Sequence, residues 1–176
     1  MPGPVFLDGE PVRLRTIEEE DIEFLQRHIN DPAVRTPIGS SAPVNEAEER
    51  DWFESLNEGD DVSLLICVDD EAVGTISLMR IDEGWGRGTL GYWIAPDEWG
   101  EGYATAATRL LVGHAFDQLR LHKVRAEAFD YNAGSRRVLE KVGFTEEGVG
   151  REECFVDGEY VDVHRYGLLE DEWRDL

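Results

Sequence analysis

Apolar positions along the chain switch repeatedly between a period of two and a period near 3.6, and each switch marks an element. Pro11 to Arg15 reads as a short strand. Thr16, with Glu19 three residues on, carries the capping-box pattern; it predicts a helix to about Ile29, which Asn30-Asp31-Pro32 ends. Asn45 and Glu48 repeat the pattern for a second helix through Trp52, Phe53 and Leu56, closed at Asn57-Glu58-Gly59. Val62 to Val68 and Ala72 to Ile81 are β-rich runs around the Asp69-Asp70-Glu71 turn. Thr89 to Ile94 follows the Gly84 to Gly88 turn as the third strand of an antiparallel meander.

From Gly102 to about Phe116 the spacing turns helical, with Tyr103, Ala107, Leu110, Leu111 and His114 on one face. His122 to Phe129 is again a strand. Asn132 can cap a helix from Ala133 to Val142, ended by Gly143 as a left-handed cap with Phe144 as its apolar contact. Glu147 to Val156 and Glu159 to Leu168 flank Asp157-Gly158, a strong two-residue hairpin signal. The order predicts a mixed α/β fold: about seven strands in a largely antiparallel sheet, helices on both faces, and parallel neighbours on either side of the Gly102 helix. At 176 residues with no linker, the chain reads as one domain.

Composition narrows the function. The 41% of hydrophobic residues can build a core, but no run approaches the ~18 apolar residues of a membrane span. The first residues carry neither a basic region nor an apolar run, so a cytoplasmic location is expected. Cys67 and Cys154 are isolated and read as free buried thiols. His28, His114 and His122 lack partners at metal spacing, so no metal is expected. Thirty-nine acidic against 17 basic residues give a net charge of -22, which argues against a nucleic-acid partner. Only Lys123 and Lys141 are lysines, a balance that suits a salt-accumulating halophile. Salt of ~1 M shortens the screening length to about 3 Å. The thermal midpoint is therefore expected to rise from low to molar KCl, and an unchanged midpoint in a melting series would contradict the halophile reading.

Candidate chemistry lies between Trp93 and Phe144. Trp99-Gly100-Glu101-Gly102-Tyr103-Ala104-Thr105 leads from a strand into a helix, where unpaired backbone N–H groups and the positive helix end suit a diphosphate. Taken alone it is equally a plain tight turn. A dinucleotide fingerprint would want glycine at Thr105, and the Gly-Lys-Ser/Thr of a P-loop is absent. Asn132 is a natural helix cap that could also touch a cofactor. Ser135 stands where a capping box would carry Glu or Gln, so capping does not explain it.

Together with Tyr92-Trp93-Ile94, Asn132-Ala133-Gly134-Ser135 and Glu140-Lys141-Val142-Gly143-Phe144, this turn resembles the GCN5-related N-acetyltransferase (GNAT) superfamily over roughly Pro11 to Leu169. Within it the chain is similar to the ribosomal-protein (Rim-type) branch, where Trp at the first loop position is common in place of Gln or Arg. The resemblance implies acetyl-CoA bound where two parallel strands splay. Backbone of Trp93 and Ile94 would pair with the pantetheine arm, and amides from Gly100 to Ala104 would hold the diphosphate. Arg136 or Arg137 could reach the 3'-phosphate or form surface ion pairs. Ser135 would protonate the departing thiolate. The tyrosine acid of many members is matched here by Leu139.

The branch's general base, a Glu before the final hairpin, falls on Cys154. Glu152, on the same strand face by alternation, is the substitute candidate. Asp162 and His164 share a strand face with Tyr160 and Tyr166, as an amine-binding cluster or a hydrogen-bonded patch. The implied reaction is direct acetyl transfer to a primary amine, with a protein N-terminal α-amine as acceptor by branch resemblance. Alternatives are a small amine (a polyamine, amino sugar or amino acid), decided by the loops Thr36 to Asn45 and Glu83 to Gly88, and a non-catalytic acyl-CoA-binding domain. The expected partners are acetyl-CoA and an amine, with no nucleic acid and no membrane, and with a homodimer left open.

Overall fold

Among the described residues, eight strands form one sheet, in which every pairing but one is antiparallel. The computed structural model describes residues 2–176. In chain order the strands are β1 (Val5–Leu7), β2 (Arg13–Arg15), β3 (Val62–Val68), β4 (Glu71–Asp82), β5 (Arg87–Ile94), β6 (Lys123–Phe129), β7 (Thr145–Val156) and β8 (Glu159–Leu169). Their spatial order is β1-β2-β3-β4-β5-β6-β8-β7. The strand beyond the expected seven is β1, too short to show a periodic pattern and held on the edge by Val5↔Arg15 and Leu7↔Leu14. The helices are α1 (Ile22–Ile29), α2 (Pro32–Arg35), α3 (Glu46–Ser55), α4 (Tyr103–Asp117), α5 (Ala133–Val142) and α6 (Glu170–Arg174).

Local chemistry accounts for most boundaries. The Asn45–Glu48 capping box at α3 forms as expected, with Glu48 N–H donating to Asn45 Oδ1 at 3.0 Å and Asn45 N–H donating to Glu48 Oε2 at 2.9 Å. Before α1 the box shifts. Thr16 spends its hydroxyl on Glu18, and Glu18 N–H donates to Asp21 Oδ2 at 2.9 Å, so a short 3-10 turn at Glu19–Asp21 precedes the helix. Asp69-Asp70 and Asp157-Gly158 both take left-handed backbone, as two-residue hairpins require.

The sheet divides the core in two. On one face α4 and α5 bury Leu111, Val112, Phe116, Leu139 and Val142 against Leu78, Val124 and Leu168. On the other, α1 and α3 close a smaller cluster of Ile17, Leu25, Leu65 and Cys67, with Phe53, Leu56 and Trp93 packed on it. Cys154, expected buried, is only half-buried on β7. The single parallel pair, β5 with β6, is connected through α4, and the functional geometry starts there.

Candidate active site

β5 and β6 pair only from Arg87↔Lys123 to Leu90↔Ala126. Past that point Gly91 to Ile94 keep β4 as neighbour, and Glu127 to Phe129 keep β8. The two strands part, and the backbone facing the gap has no strand partner. Which groups face it follows from antiparallel alternation. Ala95 N–H donates to Val73 O at 2.8 Å, in the register of Gly74↔Ile94 and Thr75↔Trp93. Ala95, Trp93 and Gly91 therefore turn N–H and C=O toward β4, whereas Tyr92 and Ile94 turn theirs toward the gap. Trp93, expected to offer its backbone to a pantetheine arm, turns it to β4 instead; the backbone that faces the gap is that of Tyr92 and Ile94. The Trp93 ring is on the opposite face, stacked on Phe24 and His28 at centroid distances of 5.8 and 5.7 Å.

The glycine turn closes the end of the gap. Trp99 donates its indole N–H to Ile94 O at 2.8 Å, pinning the turn to the last residue of β5, a role for Trp at this position that the motif alone does not reveal. Gly100 and Gly102 have φ of 88° and 83°, backbone that only glycine adopts freely. A Cβ at either would meet nothing within 4 Å, so the turn borders open space. The first helical bond of α4 is Ala106 N–H to Gly102 O, which leaves the N–H groups of Tyr103, Ala104 and Thr105 ahead of the ladder. This open cradle of donors at a helix N-terminus fits a diphosphate. Glu101 is exposed between the glycines, and only its N–H need take part.

Across the gap, Asn132 caps α5 by accepting from Ser135 N–H at 3.1 Å, so its structural role is real. Ser135 Oγ is 2.9 Å from Tyr92 OH, a hydroxyl pair spanning β5 and α5. Burial pushes the Tyr92 phenol up to about 12, against the opposing hydrogen bond from Ser135, so at neutral pH the pair holds both its protons. Tyr92 was missed as a site residue; its alternation with Leu90 and Ile94, toward the α4–α5 face, was the available signal. The two arginines of α5 separate. Arg136 is engaged by Tyr166, Asp130 and Glu146, while Arg137 is exposed with no ion pair among the described residues.

The Asp162–His164 cluster resolves into a tie between strands. His164 Nδ1 is 2.9 Å from Glu146 Oε2 and Nε2 is 3.0 Å from Asp130 Oδ1, and two carboxylates on one ring call for both N–H groups. The hydrogen bond to Glu146, then that to Asp130, raise the imidazole above its ordinary value despite burial. A raised histidine stabilises the fold below its unfolded value of about 6.5, and this contribution disappears as pH rises through the folded value. Melting midpoints are expected to decline across that window, with the decline absent in His164→Gln. An identical slope in both proteins would contradict the charged tie.

Glu152, the substitute base, is displaced. The register of β7 with β8 jumps between Gly150↔Val163 and Cys154↔Val161. Glu152 adopts φ of 50° in that bulge, and its N–H donates to Asp162 Oδ1 at 2.8 Å. The bulge breaks the alternation on which the assignment rested, and Glu152 is left exposed on an edge strand, outside the cavity beside β5.

That cavity, about 770 Å³, lies between α1, α3 and the β3–β5 face, reaching Gly91, Tyr92 and Trp93. Its roof is the 38–44 loop, where the Asn30 side chain takes both backbone groups of Val44 at 2.8 and 2.9 Å. Tyr131, after β6, donates its hydroxyl to Thr36 O at 2.7 Å and ties this loop to the far side of the gap. The Glu83 to Gly88 loop, the other candidate for acceptor choice, lies outside the cavity, with the Arg87 guanidinium 4.3 Å from the Trp85 ring centre. Among the described residues, four carboxylates line the cavity, from Glu48, Glu49, Glu58 and Asp61, and neither Lys nor Arg does.

A gap between parallel strands, a glycine turn at its end and a cavity on the opposite face are consistent with comparison to known proteins. Residues 12–145 match the model of the acetyltransferase (GNAT) domain. YdaF of Bacillus subtilis (strain 168), named provisionally as a ribosomal N-acetyltransferase, is 37% identical over 174 residues, covering 94% of this chain and 95% of that protein. RimJ of Mycobacterium smegmatis, solved with CoA-disulfide, superposes with a TM-score of 0.79 at 26% identity, over 97% of this chain and 88% of that one. The spermidine N-acetyltransferase of Vibrio cholerae, solved with CoA and spermine, shares the fold with a TM-score of 0.89 at 22% identity, over 94% and 99%. The chain belongs to the GNAT family of N-acetyltransferases.

Proposed function

We propose that the protein moves the acetyl group of acetyl-CoA directly to a primary amine, and that the acceptor is the α-amine of a basic protein N-terminus. The observation that carries the transfer reading is the backbone of Tyr92 and Ile94, which has no strand partner on the side of the gap, beside the open Gly100–Gly102 cradle. Acetyl-CoA supplies an activated thioester. The Tyr103, Ala104 and Thr105 amides hold its diphosphate, Arg137 is free for a further phosphate, and Asn132 keeps the α5 N-terminus formed at the gap. The Ile94 N–H, whose carbonyl partner group is already engaged by Trp99, remains a donor for a developing oxyanion. Ser135 holds a proton where the thiolate departs. Cys154 is no acyl carrier in this scheme, since it lies outside the cavity.

The acceptor reading draws on the cavity, whose charged lining residues are all acidic, and on the 37% identity to YdaF. A second reading, a small polycation such as spermidine, is favoured by the bounded volume under the 38–44 loop. Thiol release from acetyl-CoA, measured with peptides beginning in Ala, Ser or Met and with spermidine and spermine, separates the two. The peptide reading predicts the larger kcat/KM for a peptide with basic residues near its start; a larger value for the polyamines would replace it with the second reading.

A further inference from the structure

Glu49 occupies a position that helix periodicity assigns to an apolar side chain. Glu49, Phe53 and Leu56 follow the spacing of an inward stripe, and Phe53 and Leu56 pack on the small core beneath α3. Glu49 is only 7% exposed, yet its carboxylate makes no hydrogen bond and no ion pair among the described residues. A carboxylate largely withdrawn from water, its oxygens open only to the cavity and without a partner, destabilises a fold, so stability alone would favour leucine or alanine there. Its surroundings are the acidic cavity that also reaches Gly91, Tyr92 and Trp93, the β5 segment at the gap.

We propose that Glu49 receives the acceptor amine: its carboxylate binds the incoming ammonium and takes the proton whose loss frees the nitrogen pair for attack. The assignment rests on the acetyl-transfer reading above. The ammonium gives one proton to Glu49, which passes it to water. The nitrogen pair then forms the bond to the carbonyl carbon as the carbon–sulfur bond breaks with its electrons on sulfur. The second proton leaving nitrogen restores, through water, the one that Ser135 gives to sulfur.

Burial raises the Glu49 carboxyl above the ordinary carboxylate range, in the direction that suits a base working near neutrality. The other ionisable groups on the cavity are Glu48 from α3 itself, Glu58 and Asp61 from the segment after it, and the Tyr92 phenol from β5. From α1, His28 is turned onto Trp93, with Nδ1 2.8 Å from Phe24 O. The nearby carboxylates favour a cationic guest, and Glu49 is the one among them that is buried.

The test is Glu49→Gln, which keeps shape and removes the charge. Titration calorimetry with CoA should give the wild-type affinity. Turnover of acetyl-CoA with spermidine and with a basic peptide beginning in Ala should fall at least ~100-fold, the lower end for general acid–base catalysis. The acid limb of the wild-type pH profile should vanish with it. The midpoint of thermal unfolding at neutral pH should rise, because the unpartnered charge is gone. Wild-type turnover with the wild-type acid limb would overturn the assignment. If the wild-type protein itself moves no acetyl group, the transfer reading fails. Binding of spermidine or the peptide without acetyl-CoA then decides: loss in the variant retains Glu49 as the amine receptor, and equal binding, or none to either protein, ends it.

Discussion

Replacing Gly102 with valine is expected to weaken CoA binding by about 100-fold while leaving the apoprotein folded. Two effects combine. At φ of 83° a β-branched residue is strained, so the turn relaxes and its donors lose alignment. The valine branches would also fill the open space that a bare Cβ does not obstruct. Each charge-assisted hydrogen bond to a phosphate is worth about 1.5–3 kcal/mol, so losing two accounts for the factor. Because no protein atom stands within 4 Å of the added Cβ, the cost to the fold is confined to the turn. Titration calorimetry of both proteins with CoA checks this; equal affinities would reduce the Trp99 to Ala104 segment to a plain turn.

Ser135→Ala is expected to lower kcat by ~100-fold with little change in KM for acetyl-CoA, since a proton given to the departing sulfur matters mainly in the transition state. The effect is placed at the lower end of the acid-catalysis range because a thiol of pKa near ~8.5 is already a tolerable leaving group at neutral pH. Tyr92→Phe provides the companion experiment. With its phenol pushed up to about 12, Tyr92 stays protonated and can donate to Ser135 Oγ, which frees the serine proton for sulfur. Its loss should cost less than loss of the serine. Unchanged turnover in Ser135→Ala would make Ser135 a helix-surface residue, and a rise in KM alone would make it a positioning one.

Features written within a few residues were legible in the sequence. The Asn45–Glu48 box, the left-handed Gly143 cap with φ of 113° and the Asp157-Gly158 hairpin need only local chemistry, and each stands where the pattern placed it. The glycine turn was legible for the same reason, although its phosphate role still awaits the titration above. What escaped depends on distance or on broken periodicity. Tyr92 and Ser135 meet only because β5 leaves β6 and α5 returns across the gap. Glu152 was misplaced because strict alternation cannot anticipate a bulge whose residues face one partner, Asp162. Trp93 was assigned to the gap because the motif does not say which strand residues point outward; the register does. Glu49 carried a signal that went unread, a charge on the inward stripe with Phe53 and Leu56.

The claim that most depends on measurement is that an amine is acetylated at this site at all. Mass spectrometry of a basic Ala-initiated peptide and of spermidine, after incubation with acetyl-CoA and the protein, tests it directly. The account predicts one of them carrying an acetyl group on nitrogen, in an amount equal to the thiol released and strongly reduced when Gly102→Val replaces the wild type. CoA bound by calorimetry with no acetylated amine and no thiol released would contradict it and leave a binding domain in place of an enzyme.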